Sequence, residues 1–116
     1  LCSWLTKAPH LPATTLWNSS YFNMFQWCTA LYEIPALPAM ALPDYCYRMM
    51  FYSCDKIKLS TVQTIDYTQE YRIPASWTGT VWQSSVEAMF TYTWWTFTGT
   101  PTINTTYYLH KDNTIV

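Results

Sequence analysis

CYRMMFYSCDKIKL, residues 46–59, has three possible interpretations that lead to different classes of protein. Two cysteines bracket methionines and aromatic residues, and two lysines then alternate with apolar residues. The stretch is a metal-binding loop, a disulfide-linked segment or the wall of a cavity. Zinc-binding cysteines come in pairs separated by about two to four residues, whereas Cys46 and Cys54 are further apart and have no histidine nearby. The spacing therefore argues against the metal-binding loop.

Composition narrows the class of protein. The 116 residues suffice for one domain. Half of them are apolar and 19% are aromatic, but only 11% are charged, against about 25% in a typical soluble protein. The net charge of −1 and the absence of a large basic cluster argue against a nucleic-acid partner. No run approaches the roughly 20 apolar residues of a membrane span, and the most apolar region, IPALPAMALP, contains three prolines and is predicted to be a loop.

Two features predict a secreted or luminal glycoprotein. Glycosylation sequons begin at Asn18 and Asn104, and the chain contains four cysteines. An even number of cysteines is typical of proteins that form disulfides in an oxidising compartment.

The hydrophobic pattern divides the chain in two. Residues 1–26 have no sustained period and are predicted to form an N-terminal wrapping segment. Residues 27–116 alternate between apolar and polar side chains, which predicts an all-β domain built from antiparallel strands. We expect these strands near residues 28–34, 45–52, 56–61, 68–73, 78–82, 85–95 and 103–110.

The alternation places large aromatic and sulfur-containing side chains on one shared face, and places Arg48, Glu87 and Thr91 on the other. This face is either a plain hydrophobic core or the lining of a ligand cavity, because buried Tyr and Trp need partners for their polar tips. The candidate ligand-binding residues are Tyr47, Met49, Phe51, Phe90, Tyr92, Trp94 and Tyr107.

Four stretches of the sequence resemble the lipocalin family. LYEIPALP at residues 31–38 is similar to the opening strand of lipocalins, and CYRMMFYSCDKIKL to the second strand and its turn. VEAMFTYTWW and TTYYLHKDNTIV are similar to a middle strand and a later strand. The resemblance covers residues 27–116 and implies an up-and-down β-barrel with room for one small ligand. The sequence ends where a lipocalin has about two more strands and a helix, so the barrel is either incomplete or closed by something else.

The resemblance implies that the protein binds and carries a small hydrophobic molecule such as a pigment, lipid or retinoid. The alternative is a non-catalytic interaction subunit, or a homo-oligomer, that docks through exposed aromatic residues. A lipocalin-like enzyme has only the fold analogy in its favour. Histidines and carboxylates are scattered, so we expect no catalytic residues, no metal site and no cofactor.

The predicted register assigns one disulfide. If the strands at 28–34 and 45–52 pair in antiparallel fashion through the proline-containing loop, Cys28 faces Phe51 and lies within a few residues of Cys54. We therefore predict a Cys28–Cys54 bridge. Cys2 and Cys46 either pair with each other or, as the lipocalin resemblance suggests, bond to residues beyond this sequence.

Overall fold

The computed structural model describes residues 4–74, 83–93 and 97–116. In these ranges short strands form two small sheets, and a 3₁₀ helix spans Gln83–Val86. The strands are β1 (Glu33–Ile34), β2 (Leu59–Ser60), β3 (Tyr67–Ile73), β4 (Thr105–His110) and β5 (Thr114–Ile115).

The larger sheet is antiparallel, with β4 between β2 and β3. Leu59 lies opposite Leu109, and Tyr71 lies opposite Tyr107. All four of these side chains are buried, because alternate residues of a strand point to the same side of the sheet. The smaller sheet pairs β1 with β5 in parallel. The strands predicted near 68–73 and 103–110 are thus present as β3 and β4.

Much of the remaining chain consists of overlapping turns rather than strands. We call residues 17–28, 43–54 and 84–93 the first, second and third turn segments. In each segment the N–H of every second residue donates to the carbonyl three residues earlier, as in Met50 to Tyr47 at 3.1 Å and Met89 to Val86 at 3.0 Å. This bond closes a β-turn, so each segment is a series of β-turns that share residues.

A left-handed backbone conformation recurs at every fourth residue of these segments. It has φ between 54° and 66° and is rare for residues other than glycine. The residues concerned are Ser19, Asn23 and Trp27 in the first segment, Tyr45, Met49 and Ser53 in the second, and Ala88 and Tyr92 in the third. Each of these residues in the first segment has an equivalent 26 positions later in the second, as Ser19 has in Tyr45. The equivalents in the third segment lie 39 positions after those in the second, as Ala88 does after Met49. The three segments therefore have the same backbone design.

The same shifts relate the side chains that stack between segments. Tyr21 stacks on Tyr47 with ring centroids 6.0 Å apart, and Phe25 stacks on Phe51 at 5.7 Å. Phe51 in turn stacks on Phe90 at 5.5 Å. The second segment consequently lies between the first and the third, with its aromatic rings in the centre of the stack.

Backbone hydrogen bonds join the segments in one direction only. The N–H groups of residues 19, 21, 23, 25 and 27 donate to carbonyls of residues 44, 46, 48, 50 and 52 at 2.8–3.0 Å. The N–H groups of residues 47, 49, 51 and 53 then donate to carbonyls of residues 85, 87, 89 and 91 at 2.8–2.9 Å. At both junctions the earlier segment supplies the N–H donors and the later segment supplies the carbonyl acceptors.

The predicted lipocalin-like barrel is wrong. The described residues form one two-stranded and one three-stranded sheet, neither of which closes on itself. Of the strand predicted near 28–34 only β1 is present, and of the strand predicted near 56–61 only β2. Residues 45–52 and 85–93, which were also predicted to be strands, lie in the second and third turn segments. The predicted strand at 78–82 and the end of the 85–95 strand lie outside the described residues.

The error has a physical cause, because a period of two was inferred where the backbone repeats every four residues. Within the second segment Cys46, Tyr47, Met50 and Phe51 are buried, whereas the residues between these pairs are partly exposed. Two consecutive residues point inward and the next two outward. Reading every second residue as buried therefore places half of the side chains correctly and half on the wrong side.

Residues from both predicted parts of the chain contribute to one hydrophobic core. Ala8, Leu11 and Phe25 come from the first 26 residues and join the cluster that contains Phe51 and Leu109. Phe97 links the turn stack to the larger sheet through ring contacts with Phe90 at 6.5 Å and Tyr107 at 4.7 Å.

Candidate interaction surface

The outward positions of the turn segments form a surface that we call the aromatic face. It comprises Phe22 and Trp27 from the first segment, Tyr45, Arg48 and Tyr52 from the second, and Glu87 and Tyr92 from the third. Because the segments stack with constant shifts, outward residues at equivalent positions lie beside one another. The face therefore consists of side chains brought together from three separate parts of the sequence.

One part of the face is organised by Arg48. Its guanidinium carbon lies 5.3 Å from the centroid of the Phe22 ring and 5.5 Å from that of Tyr45, distances at which a cation is attracted to an aromatic ring. Arg48 Nε also donates to Glu87 Oε1 at 2.8 Å. These contacts hold a long charged side chain in one position across all three segments.

The other part is a row of three rings. Tyr52 contacts Trp27 with centroids 5.8 Å apart and Tyr92 with centroids 5.3 Å apart, both in edge-to-face geometry. Trp27 is 44% exposed and Tyr92 is 65% exposed, while Tyr52 is half-buried between them. The ring contacts pre-organise this row, and rigid exposed aromatics are the side chains that contribute most when a partner covers them.

The residues predicted to line a ligand cavity have different locations. Tyr47, Phe51, Phe90 and Tyr107 are buried, with Phe51 and Phe90 stacked on each other. Met49 is half-buried at a left-handed position, Tyr92 lies on the aromatic face, and Trp94 is outside the described residues. The structure brings four of the seven into the core, and their role in binding a ligand stays a prediction.

Sequence reasoning missed Trp27, Tyr52 and Arg48 as members of a surface. A signal for them exists in the dipeptide Met-Phe, which occurs at 24–25, 50–51 and 89–90 with the same shifts of 26 and 39 residues. Aligning the three dipeptides predicts the outward positions directly.

A cleft of about 530 Å³ lies on another part of the molecule. Its lining residues are Ala30, Tyr32, Asp55, Lys56, Lys58 and Asp112. Lys58 Nζ bonds Asp112 Oδ2 at 3.0 Å, and this hydrogen bond holds the pKa of Asp112 below its ordinary value. The cleft is thus lined by charges of both signs, and two of them, Lys58 and Asp112, form a salt bridge with each other.

Asn113 follows the lining residue Asp112 and is fully buried. Its Oδ1 accepts from Lys58 N at 3.0 Å, and its Nδ2 donates to the carbonyls of Tyr32 at 2.8 Å and Lys56 at 3.0 Å. One amide side chain therefore joins three chain segments, and its donors and acceptor are all used.

Cys28, Cys46 and Cys54 are buried. Cys28 and Cys54 are 26 residues apart, the shift that relates the first two turn segments. Cys28 N and Cys54 Sγ both donate to the Phe25 carbonyl, at 3.1 Å and 2.9 Å. Cys46 lies elsewhere in the second segment, where burial raises the pKa of its thiol to about 12. Cys2 is outside the described residues, and the predicted Cys28–Cys54 bridge stays a prediction.

The two predicted glycosylation sites differ in their surroundings. Asn18 is exposed in the first turn segment. Asn104 is half-buried, and its Oδ1 accepts a hydrogen bond from Arg72 at 3.2 Å.

Metal-binding clusters and membrane-spanning helices are absent from residues 4–74, 83–93 and 97–116. No cluster of three or more His, Cys, Asp or Glu in these ranges is arranged to hold a metal ion. No helix there is long and apolar enough to cross a membrane.

Comparisons with known proteins yield no relative. No family model matches the chain, and no curated protein or solved structure is significantly similar to it.

Proposed function

We propose that this domain is a non-catalytic interaction module that binds an apolar segment of another protein on its aromatic face. The observation that carries the proposal is the row formed by Trp27, Tyr52 and Tyr92. Large exposed apolar side chains on a soluble domain mark an interaction site when they are contiguous, and these three are in direct contact.

The neighbouring ionic contacts support a protein partner. Arg48 and Glu87 flank the row and are already paired with each other, so a partner needs no strong charge of its own. Aromatic side chains and arginine are enriched at protein interfaces, which combine an apolar centre with a polar rim. An apolar peptide lying across the three rings, with Arg48 at its edge, matches this composition.

Carriage of a small hydrophobic ligand has less support. That function was inferred from a barrel with a central cavity, and the residues assigned to it form part of a packed core. Phe51 contacts rings on two sides, and the two clefts described on the molecule have other linings.

A peptide library displayed on phage and selected on the immobilised protein tests the proposal. We expect apolar peptides whose affinity falls at least tenfold for Trp27→Asn and Tyr92→Asn, because removing a central aromatic residue from an interface costs about 1–2 kcal/mol or more. Asparagine is chosen because both positions have positive φ, a conformation that asparagine tolerates better than most residues.

Ile65→Asn is the matched control. Ile65 is 91% exposed and lies outside the aromatic face, so the same substitution there should leave the affinity unchanged. Peptides that bind wild type and both aromatic-face variants equally well would show that this surface is not the binding site.

A further inference from the structure

The first turn segment has an edge to which the described part of the chain supplies no partner. A trans peptide group directs its C=O and its N–H in opposite directions. The N–H groups of residues 19, 21, 23, 25 and 27 point to the second segment. The carbonyls in the same peptide groups, those of residues 18, 20, 22, 24 and 26, must therefore point away from it.

These five carbonyls form an acceptor row. Within the described ranges no hydrogen bond reaches any of them, and four of the five residues are exposed. The equivalent carbonyls of the second segment, at residues 44, 46, 48, 50 and 52, all accept from the first segment. The acceptor row on the first segment therefore has the same arrangement as the carbonyls of the second segment, which bind the first segment.

At the opposite edge of the stack, two outward N–H groups are already engaged. In the third segment the outward N–H of Ala88 donates to Thr100 Oγ1 at 2.9 Å, and that of Phe90 donates to the Gly99 carbonyl at 3.0 Å. Gly99 has a φ of 106°, which glycine adopts without strain. Because these donors are engaged, a second copy of this chain cannot supply them to the acceptor row.

We propose that the acceptor row binds a turn segment of a different chain, one with the same four-residue repeat and outward N–H groups. The first turn segment shows what such a partner looks like, since it occupies the corresponding row of the second. Exposed apolar side chains beside the row, Phe22 at 36% and Met24 at 42%, provide contact area for it. Exposed strand edges bind added chains through main-chain hydrogen bonds in the same way.

A synthetic peptide of residues 17–28 carrying Cys28→Ser is the probe, titrated against the full chain by fluorescence anisotropy. The matched control peptide has the same sequence but is N-methylated at Tyr21, Asn23 and Phe25, whose N–H groups donate between segments in the protein. We expect the affinity to fall at least tenfold on N-methylation. In the complex, the carbonyl carbon resonances of Ser20, Phe22 and Met24 should shift downfield as they accept hydrogen bonds.

Equal binding of the two peptides, or no binding at millimolar concentration, overturns the proposal. Resonance shifts confined to Trp27, Tyr52 and Tyr92 also overturn it, because the peptide would then lie on the aromatic face. Tyr92→Asn separates the two surfaces, since it should weaken ligands of the aromatic face and leave binding at the acceptor row intact.

Discussion

At the scale of single residues, one buried amide side chain joins separate parts of the chain. Asn113 makes three hydrogen bonds to the backbone of three residues, and each bond is partly buried. A buried hydrogen-bonding group that loses its partner costs more than the lost bond itself contributed. Asn113 therefore matters more for stability than its position near the end of the sequence suggests.

Asn113→Ala should lower the free energy of unfolding by about 4 kcal/mol, because the Lys58 N–H and two carbonyls would lose their partner and each costs about 1–3 kcal/mol. Urea unfolding followed by tryptophan fluorescence measures the change. Asn18→Ala, an exposed control, should change stability by less than about 0.5 kcal/mol. A loss below about 1 kcal/mol for Asn113→Ala would mean that solvent replaces these bonds.

Cys28 and Cys54 should form a disulfide when the protein is treated with oxidised glutathione. Two thiols are oxidised, one glutathione disulfide is reduced to two thiols, and the protein loses two hydrogen atoms. The bridge closes a loop of 26 residues and should stabilise the protein by about 3 kcal/mol in the chain-entropy model. Peptide mapping without reduction identifies the bond.

Cys46→Ser is the control for this oxidation and should not prevent it. A cross-link from Cys46 to either partner would contradict the alignment of the first two turn segments.

At the scale of elements, the four-residue repeat requires a left-handed backbone conformation at every fourth residue. Eight residues other than glycine adopt positive φ in the three turn segments, and an L-residue there is strained by about 1–2 kcal/mol. The cost is offset by hydrogen bonds between segments and by the stacked rings. Glycine at such a position should relieve the backbone strain and leave both the hydrogen bonds between segments and the stacked rings in place.

Ala88→Gly should accordingly stabilise the protein by about 1 kcal/mol, although the same change usually destabilises. Ala88 has a φ of 54° and its side chain is a single methyl group, so little packing is lost. Ala41→Gly is the matched control at an exposed residue without positive φ, and it should be neutral or destabilising. Thermal unfolding of both variants provides the comparison. A lower melting temperature for Ala88→Gly would contradict the left-handed assignment.

The strands β3 and β4 were predictable because their apolar residues alternate with polar ones over six or seven positions. The turn segments were not, because Tyr45, Tyr47, Met49 and Phe51 are all large and apolar whether they point inward or outward. Composition alone cannot distinguish a two-residue from a four-residue period in such a run. The aromatic face was hidden for the same reason, since five of its residues had been assigned to strands. Phe22 and Trp27 lay outside every predicted strand.

At the scale of the whole molecule, burial of ionisable groups ties stability to pH. Burial raises the pKa of Cys46 to about 12 and raises the pKa values of Tyr47 and Tyr71 well above their ordinary values. The Tyr71 hydroxyl donates to the Pro35 carbonyl, whereas the Tyr47 hydroxyl has no hydrogen-bond partner among the described residues. All three groups are neutral in the folded protein at pH values where they ionise in the unfolded chain.

Stability should therefore fall in alkaline solution. A group whose pKa is raised by folding contributes fully below its unfolded pKa, about 9.0 for Cys46 and 10.0 for the tyrosines, and this contribution is lost as the pH rises further. We expect the urea midpoint to decrease from about pH 9 upward. The double variant Cys46→Ala, Tyr47→Phe should show a shallower decrease, whereas an unchanged slope would show that other groups dominate.

The one-way hydrogen bonding between turn segments also has an electrical consequence. Peptide dipoles of about 3.5 D largely cancel in an ordinary sheet because neighbouring strands alternate. Here the nine peptide groups that donate between segments all point the same way, so their moments add to roughly 30 D at full alignment. The first turn segment is the negative pole and the third is the positive pole. This backbone array should therefore favour a cation beside the first segment and an anion beside the third.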